Sequence, residues 1–427
     1  MARKMKDSGI EWIGEIPEGW EIKYFVQLFS QVKNKNIGLR EKNLLSLSYG
    51  KIKQKSIETV GGLLPDSFEG YNIIDRNDIV LRLTDLQNDQ HSLRVGLSHE
   101  RGIITSAYCS IRVRGAESPN YLYYYLHTFD IAKGFYGMGS GVRQGLNWDG
   151  LKYIKILLPP QHEQDRISVF LNQKTLEIDS MLSKTISSIE EYKKLKQSVI
   201  TQAVTKGVRG EREMKDSGVE WIGEIPEEWN KCKLKNISID IGDGLHGTPK
   251  FDDSGEVYFI NGNNFSSEYV EPKFDTKKLC LEESLNYPKP ELTEQTIMIS
   301  LNGSYGKVCL YRYFPMLLGK SAGYITLLPS INRRYVRYYL SSTPAQIIMT
   351  LSLNGTTIPN LSLNTLYNFP TILPSASEQA EIADYLDAKC AEIDKLIAKK
   401  EQLVKELENY KKSLIFEYVT GKKELRR

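Results

Sequence analysis

The stretch MKDSGIEWIGEIPEGW, Met5–Trp20, returns almost unchanged as MKDSGVEWIGEIPEEW, Met214–Trp229. Fourteen of the sixteen positions are identical, and only Ile10/Val219 and Gly19/Glu228 differ. Two more matches follow in the same order. YLYYYL (Tyr121–Leu126) corresponds to YVRYYL (Tyr335–Leu340), and LLPPQHEQDRISVFLNQKTLEIDSML (Leu157–Leu182) to ILPSASEQAEIADYLDAKCAEIDKLI (Ile372–Ile397). The chain is one half-unit written twice. Offsets of 209, 214 and 215 residues lie far beyond the roughly 20–50 of solenoid repeats, so the duplication predicts a two-fold pseudo-symmetric molecule and not an array.

Similarity is confined to the edges of each half, while the middles, about residues 30–115 and 240–330, barely align. A shared scaffold with two different faces suits a protein that meets two different things in equivalent ways. The bulk composition fits this. At 427 residues, 41% hydrophobic and 26% charged, the chain is expected to form two or three soluble domains. No segment approaches the roughly 20 apolar residues of a membrane helix, and MARKMKDSG has no apolar stretch behind its charges, which argues against a secretory signal. Five scattered cysteines without a CxxC pair read as reduced thiols of a cytoplasmic protein. A net charge of +3 neither demands nor excludes nucleic acid.

Each repeat segment leads into strand-like runs (EIKYFVQLF and KLKNISIDI). The middles hold short alternating runs such as DIVLRLTDL, GIITSAYCSIRV, EVYFING, QTIMISLNG and GKVCLYRYF, punctuated by Gly and Asn. YLYYYLHTFDIAKG and RRYVRYYLSSTPAQIIMTL predict one short helix per half. Each half closes with a long helix, about Glu163–Thr205 and Glu378–Thr420. Ser375-x-x-Glu378 fits a capping box, and Gly207 and Gly421 stand where the helices should stop. Both helices carry a heptad stripe: Leu171, Thr175, Ile178, Leu182, Thr185, Ile189, Tyr192, Lys196, Val199 and Ala203 in the first, and Leu386, Cys390, Ile393, Ile397, Lys400, Val404, Leu407, Lys411, Leu414 and Tyr418 in the second. Such rods, roughly 65 Å long at about 1.5 Å per residue, are unstable alone and should bury their stripes against each other. The plainer reading is an ordinary helical pair within a domain; the sharper one is a spacer that sets a distance.

The chain shows no catalytic equipment. GDGLHG (Gly242–Gly247) has the GxGxxG spacing, but Thr248-Pro249 blocks the helix that would hold a pyrophosphate. Gly319-Lys320-Ser321 ends like a Walker loop whose earlier glycine is replaced by Phe314. No methyltransferase signature occurs, and the five histidines show no ligand spacing. The middles instead offer amides and bases. In the first half these are Gln87, Asn88, Gln90 and Arg94 of TDLQNDQHSLRVG, then Arg143 and Gln144. In the second they are His246, Thr248, Lys250, Asn261, Asn263, Asn302, Ser304, Lys307 and Lys320. Arg and Lys suit guanine O6/N7 and Asn and Gln suit adenine N6/N7, while neighbouring lysines hold phosphates. For any single residue a turn-forming role is the commoner reason for Asn, Gly or Ser. The ensemble, in two dissimilar copies, is what points to base reading.

The paired GxEWIGxIPxxW segments, DIVLRLTDLQND, GLHGTPKF and the LPxxxEQxxI…FL…EID openings of the long helices resemble the specificity subunits of type I restriction–modification systems. The resemblance runs along essentially the whole chain. It implies an α+β architecture of two pseudo-symmetric mixed α/β target recognition domains separated by two long antiparallel helices. The implied layout is a repeat segment (1–20), recognition domain (21–157), spacer helix (158–213), second repeat segment (214–229), second recognition domain (230–372) and second spacer (373–427). The seam of the implied coiled coil would be carried by Leu171, Ile178, Leu182, Ile189, Leu386, Ile393, Ile397 and Val404. The implied function is non-catalytic: binding a bipartite, asymmetric double-stranded DNA site and docking two methyltransferase subunits and the ATP-dependent restriction subunits. S-adenosylmethionine, Mg²⁺ and ATP would sit on those partners, with no metal in this chain. A coiled-coil adaptor that does not touch DNA is the alternative, and it would not need two elaborated middles.

Overall fold

The computed structural model describes residues 3–56, 67–86, 89, 93–139, 145–353 and 359–425. The chain forms two compact units, Met1–Ile186 with Gln402–Arg427, and Ser187–Glu401. Each unit therefore holds one of the divergent middles, one repeat segment and about half of each long helix.

In the first unit the repeat segment is a small antiparallel ribbon, Met5–Asp7 on Glu15–Pro17. Strand Glu21–Tyr24 pairs with Lys155–Leu158, so the chain enters and leaves the domain side by side. Between them lies an antiparallel four-stranded sheet in the order Phe29–Gln31, Cys109–Val113, Ile79–Leu81, Val95–Leu97. Ile79, Leu81, Val95 and Ile111 of this sheet share a core with Tyr121, Leu122 and Tyr125 of helix Pro119–Ile131.

The second unit repeats the plan. Its ribbon is Met214–Asp216 on Glu224–Pro226, and Asn230–Lys233 pairs with Pro370–Leu373. Its four-stranded sheet runs Ser238–Asp243, Ala322–Leu327, Thr296–Ser300, Val308–Leu310. In both sheets the first strand pairs with the last, then the middle two follow. The skeleton survives in middles whose sequences barely align, because a sheet core asks only for apolar residues at alternating positions. The additions differ. The first unit adds hairpin Leu45–Ser48/Lys51–Gln54 and the pair Asn72–Ile74/Gly102–Ile104. The second adds a three-stranded sheet in which Val257–Ile260 runs parallel to Met316–Leu318.

Three sequence expectations need correction. EIKYFVQLF is not one strand, since a helical turn, Phe25–Leu28, interrupts it. The turn's spacing points Phe25, Leu28 and Phe29 together into the core, where none is more than 2% exposed. KLKNISIDI is broken likewise by the 3₁₀ turn Leu234–Asn236. The second tyrosine-rich segment is two helices, Arg333–Ser341 and Thr343–Leu351. Pro344 cannot continue the first helix, because it lacks the N–H and its ring would clash with the preceding turn, but it is favourable at the start of the next.

The long helices run Gln161–Lys206 and Ala376–Val419. Both stop at glycines with left-handed φ, Gly207 at 81° and Gly421 at 71°. Every position of both heptad stripes is buried or half-buried, including Leu171, Ile178, Leu182, Ile189, Leu386, Ile393, Ile397 and Val404. In the first unit the Phe170 and Tyr418 rings pack tilted with centroids 4.6 Å apart, and Lys411 lies 2.6 Å from Asp179. The second unit places Lys400 over the Tyr192 ring and Lys196 2.6 Å from Asp394. Rising numbers on one helix meet falling numbers on the other, so the two segments are antiparallel within each unit. Of the lysines that weaken the apolar stripe, Lys411 and Lys196 are answered by the aspartates of the repeated Glu-Ile-Asp triplets, and Lys400 by the face of Tyr192.

Candidate nucleic-acid interface

The repeated motifs form a clasp that fastens each divergent middle to the start of its long helix. Trp20 donates its indole N–H to Glu163 Oε2 (3.1 Å), and Trp229 donates to Glu378 Oε2 (3.0 Å). Arg3 makes a two-pronged pair with Glu163 at 2.7 and 2.8 Å, and Arg212 lies 2.7 Å from Glu378. Burying an indole is worth roughly 4–6 kcal/mol from apolar area; leaving its N–H unpaired would cost about 1–3 kcal/mol of that. The adjacent glutamines repeat the logic. Gln164 accepts from the Ser118 N–H and donates to the Pro159 carbonyl, while Gln379 accepts from Asn332 N–H and donates to the Pro374 carbonyl. The capping box at Ser375 is therefore only half formed. Ser375 Oγ accepts from the Glu378 N–H, but the Glu378 carboxylate is turned to Trp229 and Arg212. Tyrosines complete the joint: Tyr125 donates to the Lys155 carbonyl and Tyr339 to the Pro370 carbonyl.

On the domains so held, the candidate base-reading residues fall out unevenly. Gln87, Asn88, Gln90, Arg143 and Gln144 lie outside the described residues. Arg94 is described, and its expected role as a base reader is contradicted. It has no exposed surface. Its guanidinium donates to the carbonyls of Arg82, Thr84, Asp85 and Asp89 and to the Tyr136 hydroxyl. Four carbonyls converging on one guanidinium tie Asp89 back to the Arg82–Asp85 backbone. Arg94 is the staple of that loop, and no donor is left for a base. Its backbone N–H donates to Asp130 at 2.7 Å. Burial pushes the Asp130 carboxyl up to about 6, against the pull of Arg94 and Lys133.

In the second unit, sequence-distant candidates come together. Leu245 N–H donates to Leu318 O (2.7 Å) and Gly319 N–H to Ile260 O (2.8 Å). Ser321 Oγ joins the Gly262 N–H to Asn261 Oδ1, at 3.0 Å each. Asn302 Nδ2 approaches the Lys320 carbonyl at 3.4 Å. His246, Asn261, Asn263, Asn302 and Lys320 thus belong to one cluster of loops, with His246, Asn263 and Lys320 exposed. His246 Nε2 is 2.7 Å from Asp243. Thr248 and Lys250 are exposed on the adjoining segment, which is tied down by the Lys250 N–H on Glu283. Ser304 and Lys307 follow Asn302 in the same turn, where the Ser304 carbonyl and Lys307 N–H both bond Ser300. Asn261 and Asn302 spend part of their amides on the fold, the turn role their type suggested.

The glycine-rich GDGLHG opens no helix. A Cβ on Gly244 would lie 2.3 Å from the Leu318 carbonyl, so close strand approach explains that glycine. Among the described residues no group of three or more His, Cys, Asp or Glu is placed to hold a metal, and no helix is long and apolar enough to cross a membrane. Sequence reasoning missed the Arg3/Arg212 and Trp20/Trp229 clasp onto the Glu-Gln pairs. The signal was present, since all four positions repeat.

Comparison with known proteins agrees with this architecture. Residues 226–408 match the family model of the type I restriction modification DNA specificity domain. The putative type I restriction enzyme MjaX specificity subunit of Methanocaldococcus jannaschii is 26% identical over 429 residues, covering 96% of this chain and 95% of the relative. The MjaVIII specificity subunit of the same organism is 25% identical over 421 residues, covering 95% and 93%. In fold, the chain is similar to one solved in work on complex assembly and conformational transition of the type I R-M system, with a TM-score of 0.70 at 16% identity and coverage of 95% and 98%. It is also similar to the HsdS subunit from Thermoanaerobacter tengcongensis, with a TM-score of 0.50 at 15% identity and the same coverage. In sequence the chain is similar along nearly its whole length to specificity subunits of type I restriction–modification systems, residues 226–408 match the corresponding domain family, and the fold is that of the solved chains.

Proposed function

We propose that this chain reads a split DNA sequence through two dissimilar recognition domains, residues 21–157 and 230–372, held on one duplicated frame. It is a targeting and not a catalytic component. The observation that carries the reading is the identical clasp, Trp20–Glu163 and Trp229–Glu378, beneath loop sets that share no sequence. A symmetric frame with unlike loops addresses two unlike half-sites in equivalent poses. The long helices serve as the spacer that fixes the gap between them.

In this reading two methyltransferase subunits dock on the two copies of the frame, and restriction subunits join them. S-adenosylmethionine, Mg²⁺ and ATP belong to those partners, and the complex works in the cytoplasm. Selection from a pool of random duplexes by the full chain, purified with its methyltransferase subunit, tests this. The expected winners carry two different fixed blocks at a constant separation. A single block, a palindrome, or no enrichment would contradict it, the last result favouring the adaptor alternative.

A further inference from the structure

The hairpin Leu45–Ser48/Lys51–Gln54 has no counterpart among the described residues of the second unit, and it packs on the four-stranded sheet without pairing into it. Its inner face buries Leu45 and Leu47, with Ile52 half-buried beside them, and a Cβ on Gly96 would touch Leu47 and Ile52. The outer face carries Lys51 and Lys53, with Ser48 opposite Lys51 and Ser46 opposite Lys53. Lys55 follows, and no acidic residue occurs from Leu44 to Ser56. Lys51 is 2.8 Å from Asp179. Lys53 and Lys55 are exposed and have no carboxylate partner among the described residues.

The tip is Tyr49-Gly50, with φ of 47° and 74°. Two successive left-handed residues make the tight hairpin turn that favours Asn-Gly. A tyrosine in that conformation is strained, and such strain persists at sites of function. Tyr49 recovers little by packing: it is 77% exposed, with no ring or hydroxyl partner among the described residues. The turn is nonetheless held in place. A Cβ on Gly50 would lie 3.0 Å from Leu93 Cβ, one residue before the Arg94 staple. A strained, exposed aromatic with two free lysines is thus seated beside the loop that Arg94 closes.

We propose that this hairpin grips the sugar–phosphate backbone of duplex DNA at the first half-site, Tyr49 reaching the strand and Lys53 and Lys55 neutralising phosphates. The inference rests on the DNA-targeting reading above. The occupant is a polyanion because Lys53 and Lys55 stand unpaired, among the described residues, on a face whose carboxylate, Asp179, is already shared by Lys51 and Lys411, and it is DNA because the hairpin belongs to the domain that reads the first half-site in the function proposed above.

The test uses the full chain with its methyltransferase subunit, a labelled duplex bearing the selected site, and an unrelated duplex. Lys53→Ala/Lys55→Ala is expected to weaken both duplexes alike and to flatten the slope of log affinity against log salt by about 1–2. Tyr49→Asn is expected to weaken the specific duplex roughly tenfold while raising the unfolding temperature, since Asn suits the turn. Loss of affinity with gain of stability separates a contact from a folding role. Unchanged affinity and slope in both variants, with the wild type still selecting its split site, would overturn the hairpin alone. So would intact DNA binding with loss of the methyltransferase subunit, which would make the face a protein contact. A wild-type complex that selects no duplex would overturn the DNA reading and this proposal together.

Discussion

Arg94 shows how far a residue type can mislead. In sequence it sits in an amide-rich loop and suits guanine; in the structure its donors are all spent on carbonyls of Arg82, Thr84, Asp85 and Asp89 and on Tyr136. Nothing in the string of letters distinguishes an arginine that points out from one that points in, because both follow polar turns. Arg94→Ala should lower stability by about 2–4 kcal/mol, measured by chemical denaturation, as a buried hydrogen-bonded network is broken. Binding should relax at the first half-site only, and Arg94→Lys should not restore it, since an ammonium cannot span four carbonyls. The buried His127 offers a pH signature. Burial, helped by Lys411, pulls its pKa from 6.5 to about 4. As pH falls from about 6.5 to about 4, the unfolded chain gains a proton that the buried imidazole refuses, so stability falls over that window. Asp130, raised to about 6, acts in the opposite sense, losing stability as pH rises from about 4 to about 6. The difference between wild type and His127→Gln isolates the histidine, and that variant should show a weaker loss on acidification.

At the scale of elements, the long helices were legible nearly residue by residue. Heptad spacing and terminal glycines are local signals, and the helices begin and end within two residues of the expected bounds. The strands of the middles were legible as apolar runs, but their interruptions at Phe25 and Leu234 were not, because which of several apolar residues turns inward is decided by tertiary packing. The clasp at the helix starts was visible only as repetition. Glu378, with a side chain 2% exposed, is the acceptor for Trp229 and the partner of Arg212. Glu378→Ala should cost about 3 kcal/mol or more by leaving both donors unanswered. Glu163→Ala should cost less, its side chain being 17% exposed. Differential unfolding of the two variants checks the order.

For the whole molecule, the duplication was the most informative feature of the sequence, and it predicted two pseudo-equivalent halves. The two compact units do not follow the linear order of those halves, since each takes the start of one long helix and the end of the other. The constant antiparallel register, marked by Asp179–Lys411 and Lys196–Asp394, allows a clean length change. Removing Leu182–Ser188 together with Gln402–Glu408 deletes one heptad from each helix and spares both pairs. The recognised gap should shorten while each half-site keeps its sequence, as read by duplex selection. The bases of the two proposed half-sites were not legible in the sequence, because the candidate reading residues fall in the least repeated stretches, where no repeat constrains them.

The central claim is that two unlike domains on one repeated frame address one split DNA site. Single-molecule sequencing of genomic DNA from cells co-expressing this chain with its methyltransferase subunit tests it most directly. One methylated motif of two dissimilar blocks at a fixed gap, absent when this chain is withheld, is the expected result. Methylation by the active methyltransferase that is unsplit, palindromic or indifferent to this chain would contradict it.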